Sequence, residues 1–131
     1  MPLAVDTNVL ARALVDDGSD QSKRAQKLLT DEEIFIADTV LLETEWLMRS
    51  VMNVAREDIG GIFAVLVATE NIFFADRGRV ANCILAHQAG LDFADAMHLY
   101  AAAGNDAFAT FDTGFRRKSK RLASSVPVIA A

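Results

Sequence analysis

Five short β-like runs alternating with helical patterns constrain this chain more than any other feature. The runs are LAV (3–5), EIFI (33–36), IFF (72–74), AFA (107–109) and VPVI (126–129). Helical patterns fill 8–17, 20–30, 39–52, 57–69, 77–90 and 95–104, with a shorter one at 113–121. Pro2 and Pro127, the two prolines, lie near the ends, so no interior pattern is broken. Strands separated by helices need crossover connections, and crossovers give parallel pairing with helices laid on the sheet. The expectation is an α/β fold: a mainly parallel five-stranded sheet flanked by helices on both faces. A length of 131 residues suits one domain, 1–131, with a single core. At 52% hydrophobic residues, disorder is excluded as the general state.

In parallel sheets of this kind ligands bind beyond the carboxyl ends of the strands. Asp6 follows the first run directly, in AVDTNVL, and Asp112 follows the fourth, in FATFDTGF. Either could be a helix cap or turn former. A single cap does not require the three successive polar residues Asp6, Thr7 and Asn8, which leaves a second role open for Asp6. Thr110 adds a hydroxyl at the same strand end as Asp112.

Two further acids stand out. In TVLLETEWLMRSVM (39–52), a wheel of about 100° per residue sets Glu43 on the flank of an apolar arc holding Leu41, Leu47, Met48 and Val51. Glu45 and Arg49 fall on the other side, four residues apart, as an exposed ion pair would. Glu43 then needs a partner, a cation or an altered pKa. Trp46 beside it suits either a core or a groove. In GLDFADAMHLYAAAGN (90–105), Gly90 occupies the expected position just past a helix end. Asp92 resembles the N-cap of the next helix, and Asp95, three residues on, favours that helix start through the dipole. Four acids gathered at element ends repel one another by several kcal/mol at intermediate dielectric, roughly 332/(εr). A hard divalent cation removes that cost, and an oxygen-only set suits Mg²⁺ or Mn²⁺ rather than zinc.

Charge is unevenly spread. The net charge is −5, yet RRKSKR (116–121) holds five of the 13 basic residues, leaving 8 against 18 acids elsewhere. Such a balance does not suit a general nucleic-acid coat but is compatible with a nuclease. Arg116, Arg117 and Lys118 are read as contacts to a phosphate backbone, against the alternative of a solvated helix end. Cys83 is the single cysteine, so no internal disulfide forms, which fits a reducing cytoplasm. The start MPLAVD has no basic n-region, and no apolar stretch is long enough for a bilayer. His87, His98 and Cys83 are read as ordinary helix residues.

VDTNVL, LLETEWLM, DFADAMHL and TFDTGF, in this order and at this spacing, resemble the PIN-domain family, most closely its single-domain VapC-type toxins. The resemblance covers almost the whole chain and implies a three-layer α/β fold. It also implies a Mg²⁺- or Mn²⁺-dependent ribonuclease with Asp6, Glu43, Asp95 and Asp112 as catalytic and metal-binding acids. Asn8, Thr110 and Asp92 become the supporting polar shell. In that arrangement Thr7 or Asn8 begins the first helix, and Asp6 is released from capping. Resemblance further implies a small VapB-like antitoxin laid over an apolar groove, for which Trp46 is the candidate. A homodimer is expected as well, with DNA bound only through the antitoxin. A phosphatase of the haloacid dehalogenase type would need an acid at Asn8, and a receiver domain a lysine beside the pocket, so both fit less well. The serious rival is a regulatory toxin–antitoxin component with little nuclease activity.

Overall fold

The computed structural model describes residues 1–122 and 125–131. They divide into two compact units, Met1–Arg77 and Gly78–Ala131.

In the first unit the strands are β1 (Leu3–Ala4), β2 (Ile34–Phe35) and β3 (Ile72–Phe73). The crossovers are helices α1 (Thr7–Leu14), α2 (Asp20–Asp31), α3 (Asp38–Ser50) and α4 (Arg56–Ala68). The sheet order is β1-β2-β3, and both pairs are parallel. Leu3 registers with Ile34 and Ile34 with Ile72, so apolar side chains stack across the sheet. Leu10, Ile34, Ile36, Leu41, Met48, Ile59, Phe63 and Ile72 are fully buried. Asn71 ties the end of α2 to β3, its amide donating to the carbonyls of Leu29 and Glu32, both at 2.7 Å. Arg77 donates to the carbonyls of Val67 and Ile72 and lies over the Phe74 ring.

The second unit holds α5 (Arg77–Gln88), whose first residue closes the first unit, then α6 (Phe93–Ala101), β4 (Phe108–Thr110), α7 (Thr113–Ser119) and β5 (Val128–Ala130). β4 and β5 are parallel, Phe108 opposite Val128. Helix α5 ends where Gly90 turns to a positive φ of 111°. The Gly90 amide donates to the His87 carbonyl and the Leu91 amide to that of Ala86, both at 3.0 Å. This paired closure needs a residue without Cβ strain, as the sequence anticipates. Val80, Cys83, Phe93, Ala96 and Leu99 are buried.

Among the described residues, five strands and seven helices fall where the alternating pattern expects them, and the strand pairs are parallel. One expectation is corrected. Among the described residues the strands form a three-stranded and a two-stranded sheet rather than one five-stranded sheet. Each strand is two or three residues long, so each ladder has few backbone groups to extend it. No helix among the described residues is long and apolar enough to cross a membrane.

Helices α1 and α2 are joined by a tight polar connection. The Asp17 carboxylate accepts from the Ser19 amide at 2.9 Å and pairs with Arg12 at 3.3 Å. The Ser19 hydroxyl oxygen caps α2 by accepting from the Ser22 amide at 3.1 Å. Hydrogen bonds from Ser19 foremost, then Ser22, with a smaller part from the Arg12 charge, hold the Asp17 pKa down to about 2. A carboxyl whose folded pKa lies below its ordinary value of 3.8 contributes stability above pH 3.8. That contribution disappears as pH falls through about 2. Asp17→Asn is therefore expected to melt earlier than the parent at pH 7, with the gap closing between pH 4 and 2. Thermal unfolding across that range checks it; a constant gap would show that the charge is not responsible.

Candidate functional site

Asp6 sits two residues beyond the end of β1 and caps α1. Its Oδ1 accepts from the Val9 amide at 2.9 Å, and its backbone is extended, as an N-cap requires. This corrects the expectation that Thr7 or Asn8 would start the helix and leave Asp6 uncommitted. The reason is positional: the residue whose side chain reaches the third amide of the helix is the one before its first turn. Capping occupies one carboxylate oxygen, and among the described residues the other accepts no hydrogen bond. Asp112 repeats the construction after β4. Its Oδ1 accepts from the Phe115 amide at 3.0 Å, while its own amide donates to the Thr110 hydroxyl at 3.0 Å. Thr110 thus holds the backbone of Asp112. Gly114 is part of α7 rather than a turn, and a Cβ there would meet Asp112 Oδ1 at 3.2 Å.

Helix α3 corrects the assignment of its faces. Leu41, Thr44, Glu45 and Met48 are buried, the i, i+3, i+4, i+7 stripe of a packed helix. Glu45 is only 3% exposed and accepts from the Arg49 guanidinium at 2.8 and 3.3 Å. The expected ion pair forms, but around a buried carboxylate. Two hydrogen bonds from one guanidinium satisfy that charge, and the Thr44 hydroxyl is satisfied by the Val40 carbonyl at 2.7 Å. Glu43 is exposed, and Trp46 is 53% exposed. Leu41 and Met48 of the expected apolar arc are packed, while Leu47 lines the cleft and Val51 is exposed, so the packed stripe is turned toward Thr44 and Glu45.

That cleft, a cavity of about 450 Å³ between α1 and α3, brings Asp6, Asn8, Glu43 and Trp46 together. The Thr7 hydroxyl donates to Glu43 Oε1 at 2.5 Å across it. Thr7, expected only to turn the chain, is therefore the residue that orients Glu43. Its signal in the sequence is weak, because the partner lies 36 residues away.

In the second unit Asp92 caps α6, its Oδ2 accepting from the Asp95 amide at 3.3 Å. Asp95 is half-buried. Burial first, then the carboxylates of Asp92 and Asp112, raise its pKa; His98 and Lys118 oppose this. Asp92, Asp95 and Asp112 are thus close enough for their charges to act on one another. Arg117 and Lys118 are exposed on α7, whereas the Arg116 Nε is buried. His98 is exposed, and His87 and Cys83 are buried in α5.

The model of the PIN domain family matches residues 3–121. The chain belongs to the PIN domain family. PIN domains are generally metal-dependent nucleases, and their fold is of the three-layer α/β class. Comparison with curated proteins and with solved structures gives no significant match. Among the described residues no group of three or more Asp, Glu, His or Cys side chains stands ready to hold a metal ion. The donors this PIN domain offers nonetheless suit a hard cation: all are oxygens, and the crowding at Asp95 is of the kind a cation relieves.

The capping role of Asp6 separates structure from chemistry. Asn caps as well as Asp, whereas Ala does not, so Asp6→Ala is expected to cost about 1 kcal/mol and Asp6→Asn only a few tenths. Chemical denaturation of the two variants measures the difference, and equal losses would refute the cap.

Proposed function

We propose that this PIN domain is a metal-dependent endoribonuclease of the VapC toxin type, cutting phosphodiester bonds of cellular RNA in the cytoplasm. In this reading a small VapB-like antitoxin holds it inactive, the active form is a homodimer, and DNA is reached only through the antitoxin. The observation that carries the nuclease reading is the match to the PIN domain family over residues 3–121, with Asp95 half-buried next to the cap Asp92 supporting it.

Asp6, Glu43, Asp95 and Asp112 would hold Mg²⁺ or Mn²⁺, with Asn8, Thr110 and Asp92 supporting them. When bound, such a cation polarises the scissile phosphate and makes water a better nucleophile. The chain's own residues do the positioning. Thr7 fixes the rotamer of Glu43 by donating to Oε1. Capping bonds hold the carboxylates of Asp6 and Asp112 at strand ends with one oxygen each. Arg116, Arg117 and Lys118 follow Asp112 on α7 and offer positive charge to the RNA backbone. Phe111, 89% exposed beside Asp112, offers a ring face to an unpaired base. Exposed Trp46, beside Val40 and Leu47 on the cleft wall, supports the docking of an apolar antitoxin segment.

Purified protein with Mg²⁺ or Mn²⁺ is expected to cut RNA and to lose that activity in EDTA. Asp6→Asn should lose more than about 100-fold, beyond what disturbing an outer partner of a metal site costs, with its melting temperature nearly unchanged. Gel analysis of a labelled RNA reads both effects. Wild-type rates from Asp6→Asn would refute the site, and absence of any metal-dependent cleavage would favour the regulatory rival.

A further inference from the structure

Asp6 and Asn8 border two cavities. One is the α1–α3 cleft; the other, of about 390 Å³, lies between α1 and α2. Beyond Asp6 and Asn8, no residue of the proposed catalytic set lines the second. Two arginines and two amides converge on it. Asn8 and Arg12, four residues apart, present one face of α1, and Gln21, Arg24 and Leu28 present one face of α2. No hydrogen bond or ion pair is recorded for the side chains of Asn8, Gln21 and Arg24 among the described residues. Arg12 is held in place by Asp17 at 3.3 Å through one nitrogen, while its Nε is buried without a partner.

We infer that the α1–α2 cleft is a nucleotide subsite of the substrate RNA. Arg12 and Arg24 take the phosphodiester next to the scissile one, and the amides of Asn8 and Gln21 take the ribose hydroxyl or base edge. The inference rests on the ribonuclease reading of Asp6, because Asp6 places the reacting phosphate at the mouth of this cleft. Guanidinium forks match phosphate oxygens with paired hydrogen bonds. The cavity is of the size that takes a small ligand. Leu28 gives it an apolar wall against which a sugar or base can lie. Positive charge here also offsets the repulsion that Asp6 and Glu43 exert on an incoming polyanion. The basic stretch of α7 belongs to the other unit and forms no part of this cleft's lining.

Arg24 is exposed on a helix, where alanine is well tolerated, so Arg24→Ala should fold. The full chain is titrated with a fluorescent single-stranded RNA of eight nucleotides in EDTA, where cleavage is off, at several salt concentrations. Cleavage is then timed with Mn²⁺. Arg24→Ala should weaken RNA binding about tenfold and flatten the slope of log affinity against log salt by about 0.7, the value for one phosphate contact on a single strand. Its KM should rise by a similar factor. Arg24→Lys should recover the salt slope but not the whole affinity. Unchanged affinity and slope in Arg24→Ala, with cleavage intact, overturn the subsite and leave the nuclease reading standing. Arg24-dependent binding without cleavage under any divalent metal supports the subsite and overturns the nuclease. An equal Arg24 effect on binding of polyglutamate would make the cleft a general anion site and overturn the nucleotide assignment. A wild-type chain that neither binds nor cuts RNA overturns both.

Discussion

A carboxylate oxygen accepting one backbone amide at a helix start is the contact on which the rest of this structure depends. It occurs after β1 at Asp6, before α6 at Asp92 and after β4 at Asp112. In the first and last cases the same aspartate follows a strand and fixes the origin of the next helix. The cap satisfies an amide that would otherwise lack a partner and favours negative charge against the helix dipole. It also immobilises the carboxylate. A side chain held by one oxygen presents the other in a defined direction, at the strand end where parallel sheets bind their ligands. In the proposed site, structure and chemistry would use the same residue without competing for the same atom. The supporting details are local: Thr110 holds the Asp112 amide, and Gly114 leaves space that a Cβ would take.

Much of the fold could be read in the chain because periodicity is a property of neighbours along it. The runs around Ile34, Ile72 and Phe108 announce strands, and Gly90 marks a helix end through its positive φ. What stayed hidden depends on partners distant in sequence. Glu45 reads as surface until Arg49 and the packed face of α3 are seen together. Thr7 reads as a turn residue because Glu43 lies 36 positions away. Gln21 and Arg24 are unremarkable on an exposed helix until α1 brings Asn8 and Arg12 opposite them. The division of five short strands into two sheets is likewise a matter of registers that no local pattern encodes. Of the candidate site, the acids were legible singly, as polar residues out of place; their neighbours were not.

Electrostatics links the fold to its function. Acids that cap helices stabilise them, yet Asp92 and Asp112 raise the pKa of Asp95, which marks repulsion among the charged forms. In the proposed site a cation would offset that repulsion and supply what phosphodiester cleavage requires. In the proposed subsite, guanidinium groups of the α1–α2 cleft would balance the acids that otherwise repel a polyanion.

The central proposal is that Asp95 and Asp112 serve a divalent cation. Mn²⁺ binding to the purified chain, followed by electron paramagnetic resonance, tests it most directly in a double-mutant cycle of Asp95→Asn and Asp112→Asn. Ligands of one ion are coupled, so each single variant should lose most of the affinity and the double variant little more. Independent, additive losses, or a wild-type chain that binds no Mn²⁺, would contradict the claim.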